Sequence, residues 1–400
     1  MIQETVQFEQ EYKRAVGELR GALIQLFDAI GVDPAAPQEV ARRLGINKTL
    51  TWNVSRVIRA TDEFGALAHI PGEQALGKLL EAAGAQGAGE ESVQAVRTAA
   101  RSFREMTALH VGDRSSLDIV VDSMAPTSEA IEHSRKLAFR GNSGLYGVQA
   151  RTRFVSTMVV PNAEDASRLD VAFLSGFVGF RRLRADVRWP IFKVRLQSRP
   201  ESIVDLFDPG TPVEVGSGAR PRFYAKGQPP RVEVVQSKGD HDYVLMPGAV
   251  GDTAAFDCFK GEVFRAAVPR YQQHAGETGD FGASITVPAE HLVLDLIVHQ
   301  DLAFALEAKV MVFSTIYGHG EADRRSDDIS LLPITQTPLP LVGSPPAVAT
   351  ARVPRYSEFF RTMHECLKVD PRQLRGIRVE MKYPPLGSMV VLRYGVPVRA

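Results

Sequence analysis

The chain has 400 residues, 44% of them hydrophobic and 24% charged, and 47 Lys and Arg are balanced by 47 Asp and Glu. That length exceeds one ordinary core and predicts two or three domains. The absence of net charge excludes a global pull toward nucleic acid or an anionic membrane, so any such attraction must come from a local patch. Two cysteines in unrelated contexts, Cys258 and Cys366, exclude a disulfide framework and a cysteine-built zinc site.

The start, MIQETVQFEQEYKR, has acids where a signal peptide needs basic and apolar residues. Apolar runs such as HLVLDLIV (291–298) fall short of a membrane span. A cytoplasmic protein with no membrane partner is expected.

Over residues 5–31, Phe8, Tyr12, Val16, Leu19, Leu23, Leu26, Phe27 and Ile30 recur at three and four residues, the stripe of an amphipathic helix that Gly31 closes. VDPAAP then turns, with Pro37 at a helix start. PQEVARRLGINKTLTWNVSRVI (37–58) reads as helix, tight turn, helix. ATDEFGALAHIPGEQ reads as a short extended piece broken at Pro71-Gly72. QALGKLLEAA (74–83) is a small helix, and GAQGAGEES (84–92) a glycine-rich linker. Helices are predicted over 92–111, with Val93, Val96, Ala100, Phe103 and Met106 on one side, and over 128–140, ending at Gly141.

After GNSGLYG (141–147) the texture becomes β-rich: RTRFVSTMVVP, RVEVVQS, YVLMP, FGASITVP, AKVMVFSTIYG, GIRVEMKYP and SMVVLRYGV are bounded by Gly, Pro and Asp or Asn clusters. The last two, joined through Pro384-Pro385-Leu386-Gly387, read as a hairpin. Helices are predicted within 174–188 and 354–369, and residues 332–347 form a proline-rich connection. The fold class is therefore multidomain. An all-α N-terminal region precedes an α+β, β-rich C-terminal domain, with boundaries at 1–85, 86–140 (a helical linker or dimerisation segment) and 141–400.

Within 37–58, Ala41 and Gly45 hold the small-residue and turn positions, and Val40, Leu44 and Ile46 point inward. Leu50, Val54, Val57 and Ile58 share a face of the second helix. The opposite face carries Lys48, Thr49, Trp52, Arg56 and Arg59, flanked by Asn53 and Ser55. Through VARRLGINKT and the polar-faced helix ending at Ile58, the stretch resembles the bacterial helix-turn-helix transcription regulators, including winged-helix forms. The resemblance covers about sixty residues.

It implies a helix-turn-helix that binds double-stranded DNA. Thr49, Trp52, Asn53 and Arg56 would read bases while Arg42, Arg43, Lys48 and Arg59 contact phosphates. It further implies a homodimer, with the C-terminal domain binding a small-molecule or protein effector. The alternative is a non-enzymatic scaffold that docks a protein through Trp52, for the domain as a whole is slightly acidic.

Chemistry-bearing patterns elsewhere are sparse. RRLRADVRW (181–189) places Arg181, Arg184 and Arg188 on one side of a predicted helix, an anion site or a solvated face. GDHDY (239–243) and YGHGEADRRSDD (317–328) bring His241 and His319 near carboxylates, but both read as turns rather than metal sites. His299 and Asp301 in VHQDL suit general-base work but lack a nucleophile, and Cys258 reads as a buried strand position. VEVGSGARPR (213–222) lacks the lysine and helix of a phosphate loop. No dinucleotide fingerprint, HExxH or paired-carboxylate set occurs. No catalytic residue, metal or cofactor is expected, and the chain reads as a non-enzyme.

Overall fold

The computed structural model describes residues 2–124, 128–194, 203–210, 213, 219–225, 227–237, 240–316 and 330–399. It divides into two units, Met1–Ala130 and Ile131–Ala400.

The first unit is helical: α1 (Ile2–Ala29), α2 (Pro37–Leu44), α3 (Lys48–Arg59), the single turn α4 (Glu63–Ala66), α5 (Glu73–Ala85), α6 (Glu90–His110) and α7 (Arg114–Met124). The α1 stripe from Phe8 to Ile30 is buried against Val54 and Val57 of α3, Leu76, Leu79 and Leu80 of α5, and Val93, Val96, Phe103 and Met106 of α6. Each such side chain contributes roughly 1.5–3 kcal/mol when fully buried. The Tyr12 hydroxyl, buried with its ring, donates to the Glu63 carbonyl at 3.0 Å.

Between α2 and α3 the chain reverses at Gly45, whose φ of 65° is the left-handed conformation glycine adopts without cost. Asn47 then caps α3, its side chain accepting from the Thr49 amide at 2.7 Å. Residues 60–72, expected to be extended, instead form α4 and a 3-10 turn, Leu67–His69, because Asp62 caps the Gly65 amide at 2.7 Å and starts a helix. Helix α7 has no counterpart among the sequence expectations.

Helix α8 (Ser128–Tyr146) carries the chain from the first unit into the second. It runs through Gly141 and Gly144 and stops at Gly147, whose φ is 71°. The second unit holds β1 (Val148–Pro161), β2 (Arg168–Arg182), β3 (Trp189–Val194), β4 (Ile203–Asp205), β5 (Arg222–Ala225), β6 (Val232–Ser237), β7 (Asp240–Leu245), β8 (Phe256–Pro269), β9 (Thr278–Ile285), β10 (Ala289–His299), β11 (Lys309–Ser314), β12 (Leu339–Leu341), α9 (Tyr356–Leu367), β13 (Leu374–Lys382) and β14 (Ser388–Gly395). An eight-stranded sheet runs β12-β13-β10-β1-β2-β8-β4, with β5 also on β8. Among the described residues, only the β1–β10 pairing in it is parallel. Two three-stranded sheets, β11-β14-β9 and β3-β7-β6, complete the set.

Both faces of the large sheet are covered, which is why its central strands are rich in buried apolar residues on both sides. Phe154, Met158, Val293 and Ile297 pack on Tyr356, Phe359, Phe360 and Met363 of α9. Val155, Val159, Leu292, Leu294 and Leu296 face Ile285, Val312, Val390 and Leu392 of the β11-β14-β9 sheet.

Two sequence expectations fail here. Residues 174–188 are not a helix but the second half of β2 and a turn. Phe177 and Phe180 are buried, and a bulge at Gly179 (φ 61°) shifts the register against β8. A strand buried on both faces shows no period-2 signal, so it passes for a buried helix. The final two strands are not a hairpin either. β13 pairs with β10 and β12 while β14 pairs with β11 and β9, the chain changing sheets through Tyr383 (φ 48°), Pro384, Pro385 and Gly387 (φ 73°).

Candidate ligand-binding site

The face of α3 on which a reading function was expected is only partly free. Trp52 is 44% exposed. Its ring is covered by the Arg56 guanidinium at 4.7 Å and met edge-on by His69 at 5.3 Å. Asn53 is half-buried, and Lys48, Thr49 and Arg59 are exposed. On α2, Arg43 donates to the carbonyls of Ile30 at 2.8 Å and Gly31 at 3.0 Å, and Arg42 lies 3.8 Å from Glu39. Ala41 is buried, as a close helix–helix approach needs, and the Thr51 hydroxyl donates to the Pro37 carbonyl at 2.8 Å, tying α3 to α2.

A groove of about 580 Å³ opens elsewhere in the same unit, between α5, α6 and the Ile70–Gly72 segment. Its floor is apolar: Leu19, Ile70, Leu76, Leu80, Val96 and Phe103. Four arginines surround it, Arg97, Arg101, Arg104 and Arg114. The first three fall four and three residues apart on α6, hence on one face. Arg104 pairs with Glu73 across the mouth. Arg114 is held by Asp118 at 3.2 Å and the Leu67 carbonyl, and lies over the Phe103 ring at 5.7 Å. Arg97 and Arg101 are exposed and have no carboxylate within ion-pair distance among the described residues. The spacing of Arg97, Arg101 and Arg104 beside Val96, Ala100 and Phe103 was a legible signal that sequence reasoning passed over. The opposite wall comes from α5 and the 70–72 segment and is not local in sequence.

The remaining candidates resolve as structure. Arg181 pairs with Asp252 and Glu290 at 3.3 Å each, Arg182 donates to the Met246 and Ala249 carbonyls, and Arg184 donates to those of Gly144 and Leu145. The basic run is thus a set of strand and turn ties, not one helix face. His241 lies on β7, between β3 and β6, rather than in a turn. His319 and Glu321 lie outside the described residues, as do residues 214–218 of the 213–222 stretch. His299 ends β10, its Nδ1 3.5 Å from Asp301 and accepting from the Asp301 amide at 3.3 Å, so it caps the turn that follows. Burial pushes the Cys258 thiol far up, against reactivity. Among the described residues no three His, Cys, Asp or Glu side chains group as metal ligands.

One polar cluster is fully internal. Asp295 receives Nε of Arg378 and one of its terminal nitrogens at 2.8 Å each, and the Tyr356 hydroxyl at 2.6 Å. Tyr356 also bonds Ser156 at 2.9 Å, and Arg378 donates to the Val348 carbonyl at 2.7 Å. Burial raises the Asp295 carboxyl above its usual range, while Arg378 and the Tyr356 hydroxyl oppose that rise. Closed to solvent, this cluster holds α9 on the sheet rather than binding anything.

No family model and no curated protein matches the chain. A solved structure of a candidate protease from Parabacteroides distasonis is similar over 62% of this chain and 40% of its own, at 6% identity and a TM-score of 0.31. The M1 zinc metallopeptidase of Deinococcus radiodurans, in a substituted form bound to a Tyr-Ser-Ala substrate, is similar over 61% and 42%, at 10% identity and 0.24. The chain thus spans about two-fifths of the length of these structures. At such scores the likeness carries no argument about fold, and it assigns no reaction. No helix among the described residues is long and apolar enough to cross a membrane. The expectation of a DNA-binding transcriptional regulator, with a docking scaffold as its alternative, is corrected on these findings. No family model matches the chain, and Arg43 of the expected surface is held by the Ile30 and Gly31 carbonyls within the protein itself.

Proposed function

We propose that the chain is a cytoplasmic binding protein whose helical unit takes a small amphipathic anion, an apolar body with an acidic end, in the groove between α5 and α6. The observation that carries this reading is the pairing of an apolar floor with unpaired cations at its edge. Leu76, Leu80, Val96 and Phe103 lie below while Arg97 and Arg101 stand beside them without carboxylate partners among the described residues. Ligand pockets are typically apolar with a few convergent polar groups that orient the ligand. Arginine suits an acidic end because its guanidinium stays charged and binds carboxylates through paired N–H groups. Both cysteines are free, which suits a reducing compartment.

The test uses 1-anilinonaphthalene-8-sulfonate, itself an apolar ring system with an acidic group. Gly77 on α5 lines the groove, and a Cβ added there meets nothing within 4 Å. Gly77→Phe should therefore fill the groove without disturbing the helix. Saturable one-to-one binding is expected for the native chain, lost in Gly77→Phe and weakened by about tenfold, 1.4 kcal/mol, in Arg101→Glu. Dye binding that Gly77→Phe leaves intact would refute the assignment.

A further inference from the structure

Elsewhere in the first unit, Trp52, Arg56, Arg59, Thr61, Gly65 and His69 line a second recess of about 480 Å³. None of these residues lines the α5–α6 groove. We propose that this recess is a binding site for a small phosphate monoester.

Three features support the chemistry. Arg56 and Arg59 are three apart on α3, so both guanidiniums stand on the same side of the helix. Neither has a carboxylate within ion-pair distance among the described residues, which leaves both guanidiniums free to meet an anion. Of the nearby acids, Asp62 caps the Gly65 amide at 2.7 Å and meets the Thr61 hydroxyl at 3.5 Å, and Glu63 lies 3.6 Å from Arg20.

The site is also partly organised in advance. Arg56 lies over the Trp52 ring at 4.7 Å, and the His69 ring stands at 89° to that of Trp52. A cation held this way loses less side-chain freedom on binding than a free one. Two guanidinium forks and an imidazole line the recess and offer several N–H donors. That suits a tetrahedral group with three terminal oxygens better than a planar carboxylate. The recess exceeds what a bare phosphate fills, leaving room for the organic part of an ester.

Trp52 makes the test direct, because the chain has two tryptophans and the other, Trp189, lies in the second unit. In a Trp189→Phe background, phenyl phosphate is titrated by fluorescence and by calorimetry, with sodium chloride of equal ionic strength as the control. The expected result is a saturable change in Trp52 emission with one-to-one stoichiometry. Arg59→Gln and Arg56→Gln should each weaken binding about tenfold. Lys48→Gln, on the same helix but outside the recess, and Gly77→Phe, in the separate groove, should leave it unchanged. Absence of saturation, an equal response to sodium chloride, or equal weakening by Lys48→Gln would each overturn the proposal, the last two by reducing it to diffuse screening. Melting curves of the Gln variants check that the unit stays folded, which the exposure of Arg56 and Arg59 leads us to expect.

Discussion

Replacing Arg378 by Leu tests how the second unit is held together. In the native fold Asp295 has no exposed surface, and its carboxylate accepts two hydrogen bonds from Arg378 and one from Tyr356. Leucine removes Arg378, the cation bonded to that carboxylate, and frees the Val348 carbonyl as well. Leaving a buried charge without its partner costs about 3–5 kcal/mol. A freed carbonyl adds about 1 kcal/mol unless water reaches it. The single substitution should therefore cost about 5 kcal/mol, read by urea denaturation in a Trp52→Phe background so that Trp189 reports the second unit. Pairing it with Asp295→Leu should recover most of the loss, because two apolar side chains bury no orphaned charge.

In Arg378→Leu the raised Asp295 carboxyl favours protonation in the folded state, so its penalty is relieved at low pH and grows as pH rises. The gap between native and variant should narrow on acidification. A loss under about 1 kcal/mol, or a gap that widens in acid, would show that Asp295 is not a buried carboxylate dependent on Arg378.

Further expectations concern backbone space and histidine. Gly176→Ala should cost about 3 kcal/mol or prevent folding, since its Cβ would meet the Cys258 carbonyl oxygen at 2.3 Å and the Phe259 ring at 2.4 Å. Gly77→Ala, with open space and a helical backbone, should stabilise by about 1 kcal/mol. Equal melting temperatures for these two variants would contradict the packing described. Burial lowers His69, His291 and His364 below the ordinary histidine range. Unfolding therefore takes up protons, and the stability these residues contribute is present above about pH 6.5 and lost as pH falls through their lowered values. Melting temperature should drop between about pH 7 and about pH 5. Joint substitution of the three by Gln should flatten that slope, and an unchanged slope would remove them as its cause.

Local order was legible without coordinates wherever one helix face met one core. The stripe from Phe8 to Ile30, the Gly45 reversal between α2 and α3, the α6 face through Val93 and Met106, and α9 all follow from spacing within a few residues. The pattern failed where burial is two-sided, as in β2, because a strand covered on both faces loses the alternation that identifies it. It failed again for β13 and β14, since strand partners are chosen by the whole sheet and not by the turn between neighbours. The chain's own spelling therefore determined its helical first unit, its strand-rich second unit and the row of arginines on α6. Tertiary structure alone decided that the arginine row borders an apolar groove, that Arg56 stacks on Trp52 beside His69, and that Asp295 meets Arg378 from 83 residues away. Periodicity records which way a side chain points from its own backbone; a site needs to know what stands opposite, and that is a property of packing.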